Sequence, residues 1–301
     1  MEKLVLNEKN KVMVKDYIER YLDYIDVSDN TIKTYNVGLL QFMEYLKNNN
    51  IQDPTREDVI AFREYLKEEH QPNTINAYLI AIRNFYNWLE YEGIAKNVTK
   101  NVKGIRIGNE HKRNALTLEQ CKLVLESVKN LREKVMFLLS TTCGLRANEL
   151  VNIRLGDFKL KQDKICLYVL GKARDYKEDF VIVDKEIYSI ICDYVKEYKI
   201  NDYLFTSTSN HNNKGQLTTK TIRLIIKDMF KRIGLDSDEY SLHSCRHTFA
   251  TLAILSGKDI REVSQAMRHK SLQTTTIYLH DMEKLNNQCT NSVTNAILGE
   301  V

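Results

Sequence analysis

Paired cysteines are missing from this chain. Its six cysteines, Cys121, Cys143, Cys166, Cys192, Cys245 and Cys289, are scattered singly. With no C-x-x-C spacing there is no start for a zinc site or a dithiol redox centre, and they read as reduced, mostly buried thiols. Long apolar runs are missing as well. No stretch approaches the roughly 20 apolar residues that span a bilayer, and Met1 to Asn10 lacks the apolar core of a secretory signal. No membrane partner is therefore expected, and the expected compartment is the cytoplasm. Internal repeats and low-complexity tracts are also absent. The net charge of +4 is too small to identify a polyanionic partner by itself. What the chain does have is 301 residues at 43% hydrophobic content, enough for two domains with a core each.

Residues 11 to 92 read as four helices. Val14, Ile18, Leu22 and Ile25 recur at helical spacing, and Ile32, Tyr35, Leu39, Phe42 and Leu46 do so again. Thr55 with Asp58 forms a variant capping box for a third helix. Pro72, Asn73 and Thr74 punctuate the start of a fourth, which carries Ile75, Tyr78, Ile82, Phe85 and Leu89. Residues 1–95 are expected to form a compact all-helical domain. The periodicity then fades. Between Lys96 and Arg113, the cations Lys96, Lys100, Lys103, Arg106, Lys112 and Arg113 face only Glu110, so this segment carries +5 and the rest of the chain −1. Residues 96–114 read either as a flexible basic connector tracking a phosphate backbone through Lys96, Lys100, Lys103 and Arg106, or as a solvated linker.

A second domain, residues 115–301, opens at Thr117, whose T-x-x-Q pattern with Gln120 caps a helix. Helices continue to Gly144. From Asp157 to Val183 the pattern turns β-rich, notably at Ile165 to Leu170 and Phe180 to Val183, on either side of a polar turn region. Helical periodicity resumes near Lys185 and, apart from a polar loop at 207–216, continues to the end. The expected fold class is mainly α with a small antiparallel β-sheet, in two domains.

Breaking a phosphodiester while conserving its energy takes a nucleophile, cations for the phosphoryl oxygens and an acid for the leaving oxygen. The second domain offers all three. His243 and Arg246, three apart in Leu242-His243-Ser244-Cys245-Arg246-His247-Thr248, share one helical face. Tyr278 follows in Thr275-Thr276-Ile277-Tyr278, nine residues after His269. Taken singly, each has an ordinary explanation: Tyr278 is one of 17 tyrosines, and Arg146 can pair with Glu149 along a helix. Order and context carry the case.

On these residues the chain resembles the tyrosine recombinase, or phage integrase, family, with an Xer-like architecture, over nearly its whole length. The first family box is similar to Thr142-Cys143-Gly144-Leu145-Arg146-Ala147-Asn148-Glu149-Leu150, which implies Arg146 as the first catalytic arginine. The second is similar to His243 through Thr251 and implies His243 and Arg246. The last corresponds to Met267-Arg268-His269 followed by Tyr278 as nucleophile, and the hairpin lysine falls on Lys172 in Leu170-Gly171-Lys172. All six positions hold the expected residue type. Lys177, in the same turn region, stays open as the alternative to Lys172, and Arg268 stands where many members have glycine. The helical amino-terminal domain resembles the family's core-binding, SAM-like domain. About ten residues precede the first helix, which favours the Xer-like form over one with an added arm-binding domain.

The resemblance implies a site-specific recombinase that needs neither metal nor cofactor. Its products are a 3′-phosphotyrosine and then a Holliday junction, in DNA integration and excision or in dimer resolution. The implied partners are double-stranded DNA, further copies of the chain, two on a site and four in synapsis, and accessory proteins. The segment after Tyr278, with Leu285, Val293, Ala296, Ile297 and Leu298, is too short for its own core and, as the resemblance implies, is expected to pack on a neighbouring protomer, the alternatives being that it folds back onto its own domain or is frayed. The alternatives are a type IB topoisomerase, which rejoins the original strand, and a non-catalytic DNA-binding protein of the same fold.

Overall fold

The structure, a computed structural model, describes residues 10–106, 114–171, 176–207, 215–269, 271–273, 275–276 and 297. Lys172, Tyr278, Lys112, Arg113 and the carboxyl-terminal segment other than Ile297 lie outside the described residues. The chain divides into two compact units, Met1–Glu110 and His111–Val301.

The first unit holds α1 (Asn10–Tyr24), α2 (Asp29–Asn48), α3 (Arg56–Tyr65) and α4 (Pro72–Tyr91). Their starts follow local chemistry. Ser28 caps α2, Thr55 and Asp58 form the reciprocal capping box of α3, and Pro72 occupies the first turn of α4, where its missing N–H costs nothing. The apolar stripes meet in one core around Leu39, Phe42, Phe62, Ile82 and Phe85, all fully buried. Helix α2 lies close on α4 because Gly38 faces Tyr78: a Cβ at position 38 falls 2.8 Å from Tyr78 Cδ1 and 3.0 Å from its Cα. The variant Gly38→Ala is therefore expected to lose about 1–3 kcal/mol by overpacking, although alanine is the better helix former. Urea unfolding measures it, and a gain in stability would show that the two helices can separate at no cost.

The stretch expected to be a flexible connector is anchored over residues 96–106. Val102 is buried, Asn76 makes two hydrogen bonds to the backbone of Ile105, at 2.8 and 2.9 Å, and Arg63 and Arg83 donate to the carbonyls of Lys103 and Val102. Three side chains from α3 and α4 thus hold, through four hydrogen bonds, a segment without secondary structure, which periodicity cannot reveal. Lys96, Lys100, Lys103 and Arg106 remain exposed, and Lys100 pairs with Glu90 at 2.8 Å.

The second unit begins with α5 (Leu118–Ser127), opened by the expected box of Thr117 and Gln120, then α6 (Leu131–Thr142) and the short α7 (Ala147–Val151). A three-stranded antiparallel sheet follows, β1 (Phe158–Lys161), β2 (Lys164–Val169) and β3 (Asp179–Val183), in the order β1-β2-β3. Gln162 and Asp163, both at positive φ, turn β1 into β2. Leu167, Val169, Val181 and Val183 are buried in the core, while β1 is exposed beyond Phe158, so it shows no apolar alternation. The sheet is followed by α8 (Lys185–Tyr198), α9 (Thr219–Arg232), α10 (Leu242–Leu255) and α11 (Ile260–Ala266). Of the cysteines, Cys143, Cys166 and Cys245 are buried, Cys121 is partly buried, Cys192 is exposed and none of these is in a disulfide; Cys289 lies outside the described residues. No helix among the described residues is long and apolar enough to cross a membrane.

Candidate active site

Three separate pieces of the second unit build the site. The first is the corner between α6 and α7. Gly144 follows the last turn of α6 at φ +58°, a conformation that favours glycine, and a Cβ there would lie 3.0 Å from the Phe249 ring. Leu145 is buried behind it, and Arg146 then becomes the extended residue that precedes α7. Its backbone N–H donates to Glu149 Oε2 at 2.8 Å and its Nη1 donates to Oε1 at 2.7 Å. The pairing with Glu149 is thus present, and the guanidinium still keeps 30% of its side-chain surface open.

The second piece is α10, capped by Ser241. Its buried residues mix Leu242, Cys245 and Ala250 with Ser244 and Thr248, and Arg246 is the buried charge among them, at 5% exposure. Such a charge needs partners. It donates through Nη1 to the Gly144 carbonyl and through Nη2 to the Met267 carbonyl, which locks the guanidinium between the other two pieces. His243 is exposed on the same helix, and His247 is partly buried one turn on.

The third piece is the turn after α11. Arg268 sits at φ +55° and donates from Nη2 to Glu149 Oε2 at 2.7 Å. His269 follows, with Nδ1 2.8 Å from the hydroxyl of the fully buried Thr275. Burial, and then the charges of Arg246, Arg146, Arg268 and His247, push the His269 imidazole down to about 4. Burial, His243 and Arg246 do the same to His247. Both rings are neutral at pH 7, set in a positive field where a phosphate is welcome and an imidazolium is not.

Arg146, Arg246 and His269 therefore converge, with His243 next to them through His247 and Arg246. Among the described residues, four further participants carry no sign of their own in the sequence that they belong to the site. In the sequence Glu149 is only a pairing partner for Arg146, Arg268 only a departure from the family pattern, and His247 and Thr275 only neighbours within the motifs. Position in the quoted boxes was the available signal. Lys177, the open alternative to Lys172, donates to the Asn152 carbonyl at 2.5 Å and pairs with the Asp157 carboxylate, both within its own unit.

A helical unit, an α+β unit and this arginine and histidine cluster define the class of tyrosine-dependent DNA strand-exchange enzymes. The chain belongs to the phage integrase family: the family's catalytic model matches residues 114–284, and its N-terminal SAM-like domain matches residues 16–93. Tyrosine recombinase XerA of Pyrococcus horikoshii is 28% identical over 278 residues, covering 91% of this chain and 92% of the relative. Among solved structures, the XerH site-specific recombinase bound to palindromic difH substrate in its post-cleavage complex superposes with TM-score 0.76 at 20% identity, over 96% of this chain and 100% of that one. A lambda integrase tetramer bound to a Holliday junction superposes with TM-score 0.70 at 15% identity, over 88% and 76% of the two chains. The enzyme is a tyrosine-type site-specific DNA recombinase.

Proposed function

We propose that the chain cleaves double-stranded DNA by attack of the Tyr278 oxygen on the scissile phosphate, with Arg146 and Arg246 clamping the phosphoryl oxygens. The observation that carries this reading is the convergence of both guanidinium groups and His269 from three separate segments. Arginine presents planar paired donors that match phosphate oxygens, and fixed donors in a partly buried site stabilise the charge of a pentacoordinate transition state. A free phenol has a pKa of about 10, so the nucleophile needs a proton acceptor or a positive field. His243, exposed and beside Arg246, takes the phenolic proton. The bond from phosphorus to the 5′ oxygen breaks as the bond to tyrosine forms, and Lys172 protonates the departing 5′ oxygen. His269, held by Thr275, donates to a non-bridging oxygen through Nε2, the nitrogen not used by Thr275. The 3′-phosphotyrosine keeps the energy of the broken ester, so a 5′ hydroxyl of a second duplex restores a phosphodiester without ATP. Two such exchanges pass through a Holliday junction.

The partners in this reading are double-stranded DNA and further copies of the chain, two on a site and four in synapsis. The relatives bound to DNA and to a junction support it, and so does the exposed Ile297 in the carboxyl-terminal segment, 76% accessible in the single chain and available to a neighbour. The exposed Lys96, Lys103 and Arg106 serve as phosphate contacts, and their anchored backbone holds them ready for a duplex. The biological setting is integration and excision or dimer resolution, in the cytoplasm. The direct test is covalent trapping on a nicked suicide substrate followed by an assay for junctions between two duplexes. Adduct without junctions would leave the topoisomerase alternative standing, and DNA binding without adduct would leave the non-catalytic one.

The acid is tested separately. Lys177 is engaged with Asp157 and Asn152, which favours Lys172. The variant Lys172→Ala is expected to lose cleavage of ordinary DNA and to regain most of it on a substrate whose bridging 5′ oxygen is sulfur, a leaving group that needs no proton. Rescue of Lys177→Ala instead would move the acid to that residue.

A further inference from the structure

The geometry points to Arg268 as a positioning residue for strand cleavage: it holds the Glu149 carboxylate in place, and that carboxylate in turn aims the Arg146 guanidinium at the phosphate. This rests on the reading of Arg146 given above. Position 268 has a backbone conformation, φ +55°, that glycine adopts freely and residues with a side chain adopt rarely. A long side chain is nevertheless kept there, and it is spent inward. Arg268 is only 7% exposed, Nη2 donates to Glu149 Oε2 at 2.7 Å, and Nη1 donates to the Ala266 carbonyl at 2.8 Å.

Glu149, at 2% exposure, thus sits between two guanidinium groups. Arg146 Nη1 takes Oε1, while Oε2 accepts from Arg268 and from the Arg146 backbone N–H. The division of labour follows from exposure. Arg146 keeps an open face for a substrate at 30%, whereas Arg268 is closed in at 7%. One arginine is placed to meet DNA, and the other completes the neutralisation of the acid that braces it. The charged groups acting on Glu149 are Arg268, from the turn after α11, and Arg146, at the start of its own helix. Burial pushes the Glu149 carboxyl up, and Arg268 together with Arg146 more than offsets this, leaving it below the ordinary carboxylate value. With Arg268 removed, burial gains weight and the carboxyl moves up. Once protonated, the acid is a poor brace for Arg146.

The test is single-turnover cleavage of a suicide substrate by the full chain, from about pH 5 to about pH 8, in wild type, Arg268→Gly, Arg268→Lys and the double variant Arg268→Gly with Glu149→Gln. Melting and half-site binding are measured beside it. Arg268→Gly relieves the positive φ and is expected to fold. Its cleavage should fall on the order of 10- to 100-fold, most severely at low pH, with the acid limb of the profile moved upward. Arg268→Lys, which restores a charge, should bring that limb back toward wild type. The double variant should lose the added pH dependence, because the amide does not titrate. A wild-type rate and acid limb in Arg268→Gly overturns the positioning role. So does a loss that is equal at every pH and follows the melting temperature, which marks a structural residue. Failure of the wild-type chain to form an adduct would be a different result, and would overturn the catalytic reading itself.

Discussion

Replacing Tyr278 by phenylalanine is expected to abolish the covalent protein–DNA adduct completely and to leave DNA affinity nearly intact. In the mechanism proposed above, the change removes the attacking oxygen and no charge. Affinity for a duplex is dominated by cations releasing counterions from phosphates, a contribution the phenol does not make. Arg146 and Arg246 carry no nucleophile, and the neutral His269 sits beside Thr275 at 2.8 Å. Denaturing electrophoresis of a suicide-substrate reaction reads the adduct, and gel shift reads the affinity. A persisting adduct in the phenylalanine variant would place the nucleophile elsewhere. Equal loss of adduct and affinity would mean that the hydroxyl holds structure rather than chemistry.

The second large effect is expected at Arg246. Arg246→Lys should slow cleavage by about 100-fold or more, the scale seen when one preorganised transition-state donor is lost. The structure gives a reason beyond charge. Two nitrogens of one planar group reach the carbonyls of Gly144 and Met267, which belong to different segments, and the same planar group has the geometry that matches phosphate oxygens. A single ammonium nitrogen cannot reach both carbonyls and a phosphate together. One buried carbonyl is left unpaired, at a cost of about 1–3 kcal/mol, so thermal unfolding must be measured alongside the rate. Cleavage at saturating DNA and at a temperature where the variant is fully folded isolates the chemistry. Near wild-type cleavage under those conditions would move the phosphate clamp away from Arg246.

Both experiments bear on how the site is assembled. Arg246 is the fixed post: its position depends on backbone carbonyls, and those depend on the left-handed turn at Gly144 and on the end of α11. Arg146 is the adjustable partner, aimed by one carboxylate. His269 owes its neutral state first to burial and then to the same arginines that make the site attractive to phosphate. Fold and chemistry share a cause here, because the contacts that close the second unit also gather its cations.

The sequence by itself determined the helices with clear stripes, the capping boxes at Thr55 and Thr117, the β-rich stretch and the order of the boxes holding Arg146, His243, Arg246, His269 and Tyr278. These are local properties: side-chain periodicity, hydrogen bonds three residues apart and short motifs act within one or two turns of chain. Only the tertiary structure decided that residues 96–106 are fastened to α3 and α4, that exposed Lys159 to Lys161 form an edge strand, and that Arg268 shares Glu149 with Arg146. The first and the last of those facts depend on partners distant in sequence, and the strand at Lys159 to Lys161 shows itself only through its pairing with β2. Arg268 and Glu149 stand 119 residues apart, and Arg246 and Gly144 stand 102 apart. A buried charge is stabilised by whichever donors and acceptors the fold brings to it, and no spacing along one segment encodes which they are.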